Sequence, residues 1–131
     1  MNNMSIGEEK IKTILSKNNI VFSQEKNFND LKGGAFRYDF YLPNYNNRQV
    51  IIEFNGEQHY KFIKHFHKNR LGFLKNQEHD RRKISYCLAN NIDIYIIPFW
   101  EIDKINVLSD LFQNQYRATT RWHNDKIFQK K

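Results

Sequence analysis

Phe36-Arg37-Tyr38-Asp39-Phe40-Tyr41-Leu42 and, after a turn, Val50-Ile51-Ile52-Glu53-Phe54-Asn55-Gly56 form the stretch on which the reading of this chain rests. The first run alternates strictly. Phe36, Tyr38 and Phe40 fall on one face and Arg37, Asp39 and Tyr41 on the other, which is the two-residue period of a strand. Pro43 to Asn47 is rich in turn formers, and the second run is β-branched until Glu53 interrupts it. Together they predict a hairpin. A carboxylate in a central strand is expensive unless it is partnered. The partner of Glu53 is therefore either a Lys or Arg or a metal ion.

Asp39 sits on the neighbouring predicted strand, so the two carboxylates can converge. Like charges that close resist joint ionisation unless a cation lies between them. A hard divalent ion such as Mg²⁺ or Mn²⁺ takes oxygen ligands and keeps several waters. Such an ion polarises a phosphoryl oxygen and acidifies an attacking water.

Working outward, Ser5-Ile6-Gly7-Glu8 matches a capping box, with Ile11, Ile14 and Leu15 at helical spacing after it. A helix over 6–17 follows, and Ile20 to Glu25 reads as a short strand. Gly33-Gly34 marks a turn before the hairpin. The segment 59–72 has no clear period and reads as a basic loop, partly helical. Leu74 to Asn90 predicts a long helix with Ile84, Cys87 and Leu88 inward. Ile92 to Ile97 is an apolar strand ended by Pro98. Ile102, Ile105, Leu108 and Phe112 mark a last helix, and a polar, basic tail follows with Trp122 and Phe128 as anchors. The order is helix, three strands, helix, strand and an extra C-terminal helix: a mixed α/β fold with helices on the faces of a small sheet.

Composition narrows the function. The 131 residues fit one domain, and 40% hydrophobic content supplies its core. The single cysteine, Cys87, excludes an internal disulfide framework and reads as a core residue. No apolar run approaches the roughly 18 residues of a membrane span. The N-terminus lacks the pattern of a signal peptide. The expectation is a soluble cytoplasmic protein. The formal charge is +7, unevenly spread. Lys61 to Lys83 holds eight Lys or Arg against two acids, and Arg117 to Lys131 five against one, while the rest is net acidic. Basic segments interleaved with aromatics and His suit a polyanion, although a charge run is also what any solvated face looks like. His65, His67 and His79 lack zinc-ligand spacing.

Five phrases carry a resemblance: Ser5-Ile6-Gly7-Glu8; Arg37 to Pro43; Ile52-Glu53-Phe54-Asn55-Gly56-Glu57-Gln58-His59-Tyr60; Asp80-Arg81-Arg82-Lys83-Ile84-Ser85-Tyr86-Cys87; and Asn91-Ile92 leading into Ile96-Ile97-Pro98. In this order they resemble the PD-(D/E)xK nuclease superfamily, and more narrowly its very-short-patch repair and phage-borne homing endonuclease branch. The resemblance runs from Ser5 to about Pro98 and implies a restriction-endonuclease-like core. The chain is expected to divide into a nuclease core, 1–113, and a basic extension, 114–131.

It also implies roles. Asp39 and Glu53 would hold Mg²⁺ or Mn²⁺, with the Phe54 carbonyl as a third protein ligand. Glu8 would stand near the site as well as cap its helix. The family's lysine two residues after the second acid is replaced by Asn55, which cannot carry a positive charge. His59 or Lys83 would supply the missing group, and Gln58 would orient a water or phosphate. An ion pair between Asp80 and Lys83, three apart on one helix, is the plain alternative for that lysine. Arg37, Lys61, Lys64, Lys68, Arg70, Lys75, Arg81, Arg82, Arg117 and Arg121 would grip DNA. The implied activity is metal-dependent hydrolysis of DNA phosphodiester bonds, by a monomer that nicks or a homodimer that cuts both strands, in a phage or its bacterial host. A non-catalytic nucleic-acid-binding module on a decayed nuclease scaffold is the alternative.

Overall fold

A computed structural model describes residues 4–125. Its elements are α1 (Ile6–Lys17), β1 (Ser23–Lys26), β2 (Tyr38–Tyr45), β3 (Arg48–Asn55), a short α2 (Lys64–His67), α3 (Arg70–Ala89) and β4 (Asp93–Pro98). The strands lie side by side in the order β1-β2-β3-β4. The first three pair antiparallel and β4 runs parallel to β3. A parallel neighbour needs a crossover, and α3 provides it.

The sheet is covered on both faces. Ile11, Ile14 and Leu15 of α1 pack on Phe40, Leu42, Val50, Ile52 and Ile97. Ile84 and Cys87 of α3 pack on Tyr38, Ile51, Ile94 and Ile96. Burial on both faces explains why β3 and β4 read as continuous apolar runs rather than alternating ones.

The structure amends several expectations. β1 begins at Ser23, three residues later than the alternation predicts. Tyr38 does not share the Phe40 layer: it joins the α3 layer, where its hydroxyl donates to the Lys83 carbonyl at 2.8 Å. The slip falls at Asp39, just beyond the last ladder pair between β2 and β3, Phe40 with Ile52. Leu88 is 40% exposed rather than inward. The expected C-terminal α-helix is absent; Phe99–Lys104 and Leu108–Phe112 are 3₁₀ turns. Ile102, Leu108, Leu111 and Phe112 are buried or half-buried in the α1 layer, but Asp110 caps the second turn by accepting from the Asn106 and Val107 amides.

The tail does not hang free as far as Asp125. Tyr116 and Ala118 are buried, and the Ala118 amide donates to the Ile94 carbonyl. Trp122 lies under the guanidinium groups of Arg81 and Arg121. Phe128, the other expected anchor, lies outside the described residues.

Candidate active site

At the end of the hairpin, β2 and β3 stop pairing through their backbones and pair through Asp39 and Glu53 instead. The Asp39 amide donates to Glu53 Oε2 at 2.6 Å, and the Phe54 amide donates to Asp39 Oδ2 at 2.8 Å. Each carboxylate thus replaces a ladder bond of the other strand, which holds both in fixed positions where the strands part. The other Glu53 oxygen accepts from Lys83 Nζ on α3 at 2.6 Å. In that ion pair Glu53 is buried at 7% side-chain exposure and Lys83 half-buried at 14%.

Asp39 faces acids on its other side. Glu8, Glu25 and Asp39 each offer a carboxylate oxygen, and these atoms lie within 4.8 Å of one another. Glu8 completes the α1 capping box and belongs to this cluster as well. Glu25 is the member that the sequence did not reveal. It sits in β1 with φ +56°, a left-handed conformation that is uncommon for a residue with a side chain.

Gly7 explains how α1 comes this close. A Cβ there would collide with the Phe54 ring, so only glycine lets the helix settle on the end of β3. Gly7→Ala would gain about 1 kcal/mol of helix propensity at a free position. Here the collision reverses the sign, and a net loss of about 1–2 kcal/mol is expected from overpacking. Denaturant melts of Gly7→Ala alone and with Phe54→Ala will show it: the two substitutions must couple. Additive effects would sink this account.

The electrostatics follow from the geometry. Burial, then the Glu53 carboxylate, pushes Asp39 well above the ordinary carboxylate range; Lys83 and the Phe54 amide pull it back in part, and Glu8 adds to the rise. Burial by itself would lower the Lys83 ammonium. Glu53, with Asp39 and Asp80 behind it, outweighs burial and holds it above its ordinary value. The site carries more negative charge than Lys83 neutralises, and three carboxylates suit a hard divalent cation.

Of the two nominees for the missing charge, Lys83 reaches the site. His59 Nδ1 contacts Asp80 Oδ2 at 2.8 Å instead. The alternative Asp80–Lys83 pair is not formed: each turns to a group on another element, Asp80 to His59 and Lys83 to Glu53. Asn55 is buried at 3% exposure beside the Tyr60 hydroxyl. The Gln58 amide folds over Gly56. Phe54 contributes its backbone amide to Asp39 and its ring to Gly7.

The basic residues divide. Lys61 pairs with Glu57, Arg81 with Glu78 and Asp125, Arg117 with Asp93, and Arg121 with Glu78. Arg37, Lys64, Lys68, Arg70, Lys75 and Arg82 are exposed, with no ion pair among the described residues. No helix among these residues is long and apolar enough to cross a membrane.

Two curated relatives come from invertebrate iridescent viruses. The chain is 36% identical over 83 residues, 63% of its length, to "Uncharacterized protein 307L" of Invertebrate iridescent virus 6. It is 28% identical over 71 residues, 54% of its length, to "Uncharacterized protein 033L" of Invertebrate iridescent virus 3. The chain covers only 38% and 35% of these relatives. No family model and no solved structure matches.

Proposed function

We propose that the protein is a metal-dependent DNA endonuclease with a restriction-endonuclease-like core, in which Lys83 on α3 replaces the lysine of the usual motif. The observation that carries this reading is the Asp39–Glu53–Lys83 arrangement at the parted end of β2 and β3. A structural ion pair alone leaves the clustering of Asp39 with Glu8 and Glu25 unexplained. Glu25 is exposed and Glu8 and Asp39 are half-buried, and three carboxylates brought this close repel one another unless a cation lies between them.

Asp39, Glu8 and Glu25 would hold Mg²⁺ or Mn²⁺, with Glu53 at the edge of the site. The bound ion would supply Lewis acidity toward a phosphoryl oxygen and a more acidic water. Glu53 holds Lys83 at 2.6 Å, and the ammonium would stabilise charge developing on a phosphate. The exposed bases, most of them near α2 and the start of α3, would take the flanking backbone.

Plasmid cleavage in Mg²⁺ or Mn²⁺ tests the reading. The wild type is expected to nick or linearise DNA, while Asp39→Ala and Glu53→Ala are inactive. Cleavage surviving both substitutions would remove the site assignment. No cleavage with either ion would leave the non-catalytic DNA-binding module, whose best support is the buried Asn55. Binding without metal should also weaken steeply with salt. Six exposed bases engaging one phosphate each give a log–log slope of about −5. A slope near −1 by fluorescence anisotropy would exclude this surface as the DNA grip.

A further inference from the structure

Strand alternation places Tyr38 with Phe40, yet the two lie on opposite faces of the sheet. The slip at Asp39 separates them, and it turns two neighbours in opposite directions. Asp39 comes within reach of Glu8 on the α1 side, and Tyr38 turns to α3. There Tyr38 meets Lys83 in two ways. Its hydroxyl donates to the Lys83 carbonyl at 2.8 Å, and the Lys83 ammonium lies 4.9 Å from the centre of its ring. Tyr38 is fully buried. A cation over an aromatic face is attracted by the ring quadrupole, most strongly where water is excluded. Packing asks for neither contact: phenylalanine would fill the layer without the hydroxyl bond, and leucine without the negative ring face.

We propose that Tyr38 is the positioning residue of Lys83, its ring and hydroxyl holding the ammonium beside Glu53 with donors left for a phosphate oxygen. The proposal rests on the nuclease reading for that phosphate and deepens it. An ammonium on a four-carbon stem is mobile, and an ion pair fixes its distance to the carboxylate better than its direction. Here three contacts act together. Glu53 takes one N–H at 2.6 Å, the Tyr38 ring covers one side, and the hydroxyl anchors the backbone from which the stem starts. The hydroxyl does so without loss to the helix, because a carbonyl oxygen has a second lone pair. Among the described residues Glu53 is the one hydrogen-bond acceptor of the ammonium, which carries three donors.

The arrangement joins the two halves of the site. Tyr38 faces Lys83, and Asp39, the next residue of β2, faces Glu8 and Glu25. Small errors in the place of a reacting group are costly to the chemical step. A contact realised only in the transition state lowers kcat when it is lost and leaves KM unchanged. Tyr38 should therefore act on kcat.

The test uses the full chain in two arms. In EDTA, the Lys83 Cε protons, identified in the NMR spectrum by their loss in Lys83→Arg, are expected upfield of those of the other lysines, shielded by the Tyr38 ring. Finding them at the ordinary lysine position overturns the proposal. In Mg²⁺, Tyr38→Phe is the reference for chains that carry at position 38 a phenylalanine with one, two or three ring fluorines. Fluorine weakens the ring quadrupole and changes the ring's shape little, so a residue that only fills space would not respond. The kcat for plasmid cleavage is expected to fall stepwise, by about tenfold at three fluorines, with KM constant. A flat series overturns the proposal. If the fluorinated chains do not fold, the EDTA arm decides alone. A wild type that does not cleave bears on the nuclease reading, and the proton shift still decides whether Tyr38 holds the ammonium.

Discussion

Lys83→Met is expected to destabilise the protein by about 3–5 kcal/mol, the usual result of removing one partner from a buried ion pair. For a domain of this size that lowers the melting temperature by more than about 10 °C. The lost attraction is the smaller part. Glu53 stays behind at 7% exposure with one oxygen held by the Asp39 amide and the other unpaired. Asp39 also loses the one cation among the groups that shift it. The double variant Lys83→Met/Glu53→Gln should recover much of the loss, because no uncompensated charge remains. Calorimetry of the three variants gives the coupling directly. Near-additive losses would mean that the pair is not held as the structure has it. Cleavage then separates two roles for Lys83. A folded double variant that still cuts DNA would make the lysine purely structural, whereas one that is inactive while Glu53→Gln alone still cuts agrees with a lysine that meets the phosphate.

How the sequence conceals that lysine is instructive. Asp80 and Lys83 stand three apart on one helix, and that spacing by itself predicts a local pair. The pair is absent because stronger options exist off the helix: His59 from the turn after β3 and Glu53 from β3 itself. Helical spacing reports which side chains are neighbours, not which long-range partner outbids them. The hairpin and the first helix are legible for the opposite reason. Their periods are local, and Ser5 and Glu8 form the capping box that their spacing predicts. Asp39 and Glu53 were legible because carboxylates in apolar strands contradict the pattern around them.

Glu25 and Asn124 gave no comparable signal. Glu25 belongs to a polar strand, Ser23–Lys26, where an acid contradicts nothing; the β1–β2 register sets it opposite Asp39, with a left-handed backbone at that point. Asn124 lies in a tail whose composition reads as solvated. The segment around it is tied down instead: Arg81 and Arg121 stack on Trp122 and pair with Asp125 and Glu78. The same contacts correct the view of Arg81 and Arg121 as free DNA ligands. The last helix was misread because its apolar spacing is compatible with 3₁₀ turns, whose buried residues recur at a similar interval.

Asp39→Asn is expected to abolish cleavage while making the metal-free protein more stable near neutral pH, because burial and the Glu53 charge oppose ionisation of Asp39. Burial and Glu53 raise the Asp39 carboxyl well above its ordinary range. The folded state therefore holds this proton more tightly than the unfolded chain does. Its contribution to stability is full below the ordinary carboxylate range, near pH 4, and is lost as pH rises toward the folded value. Asparagine never ionises, so the stability gap between variant and wild type should be small in mild acid and widen with rising pH. Saturating Mn²⁺ should close it, because an ion on Glu8, Glu25 and Asp39 stabilises only the wild-type charge and shifts its melting temperature upward by mass action. Melting curves of both proteins at several pH values, with and without Mn²⁺, test each step. A wild type that Mn²⁺ leaves unmoved, or an asparagine variant less stable than wild type across the whole range, would remove Asp39 from the centre of a metal site. The combination of a more stable and inactive variant is what separates a residue kept for chemistry from one kept for the fold.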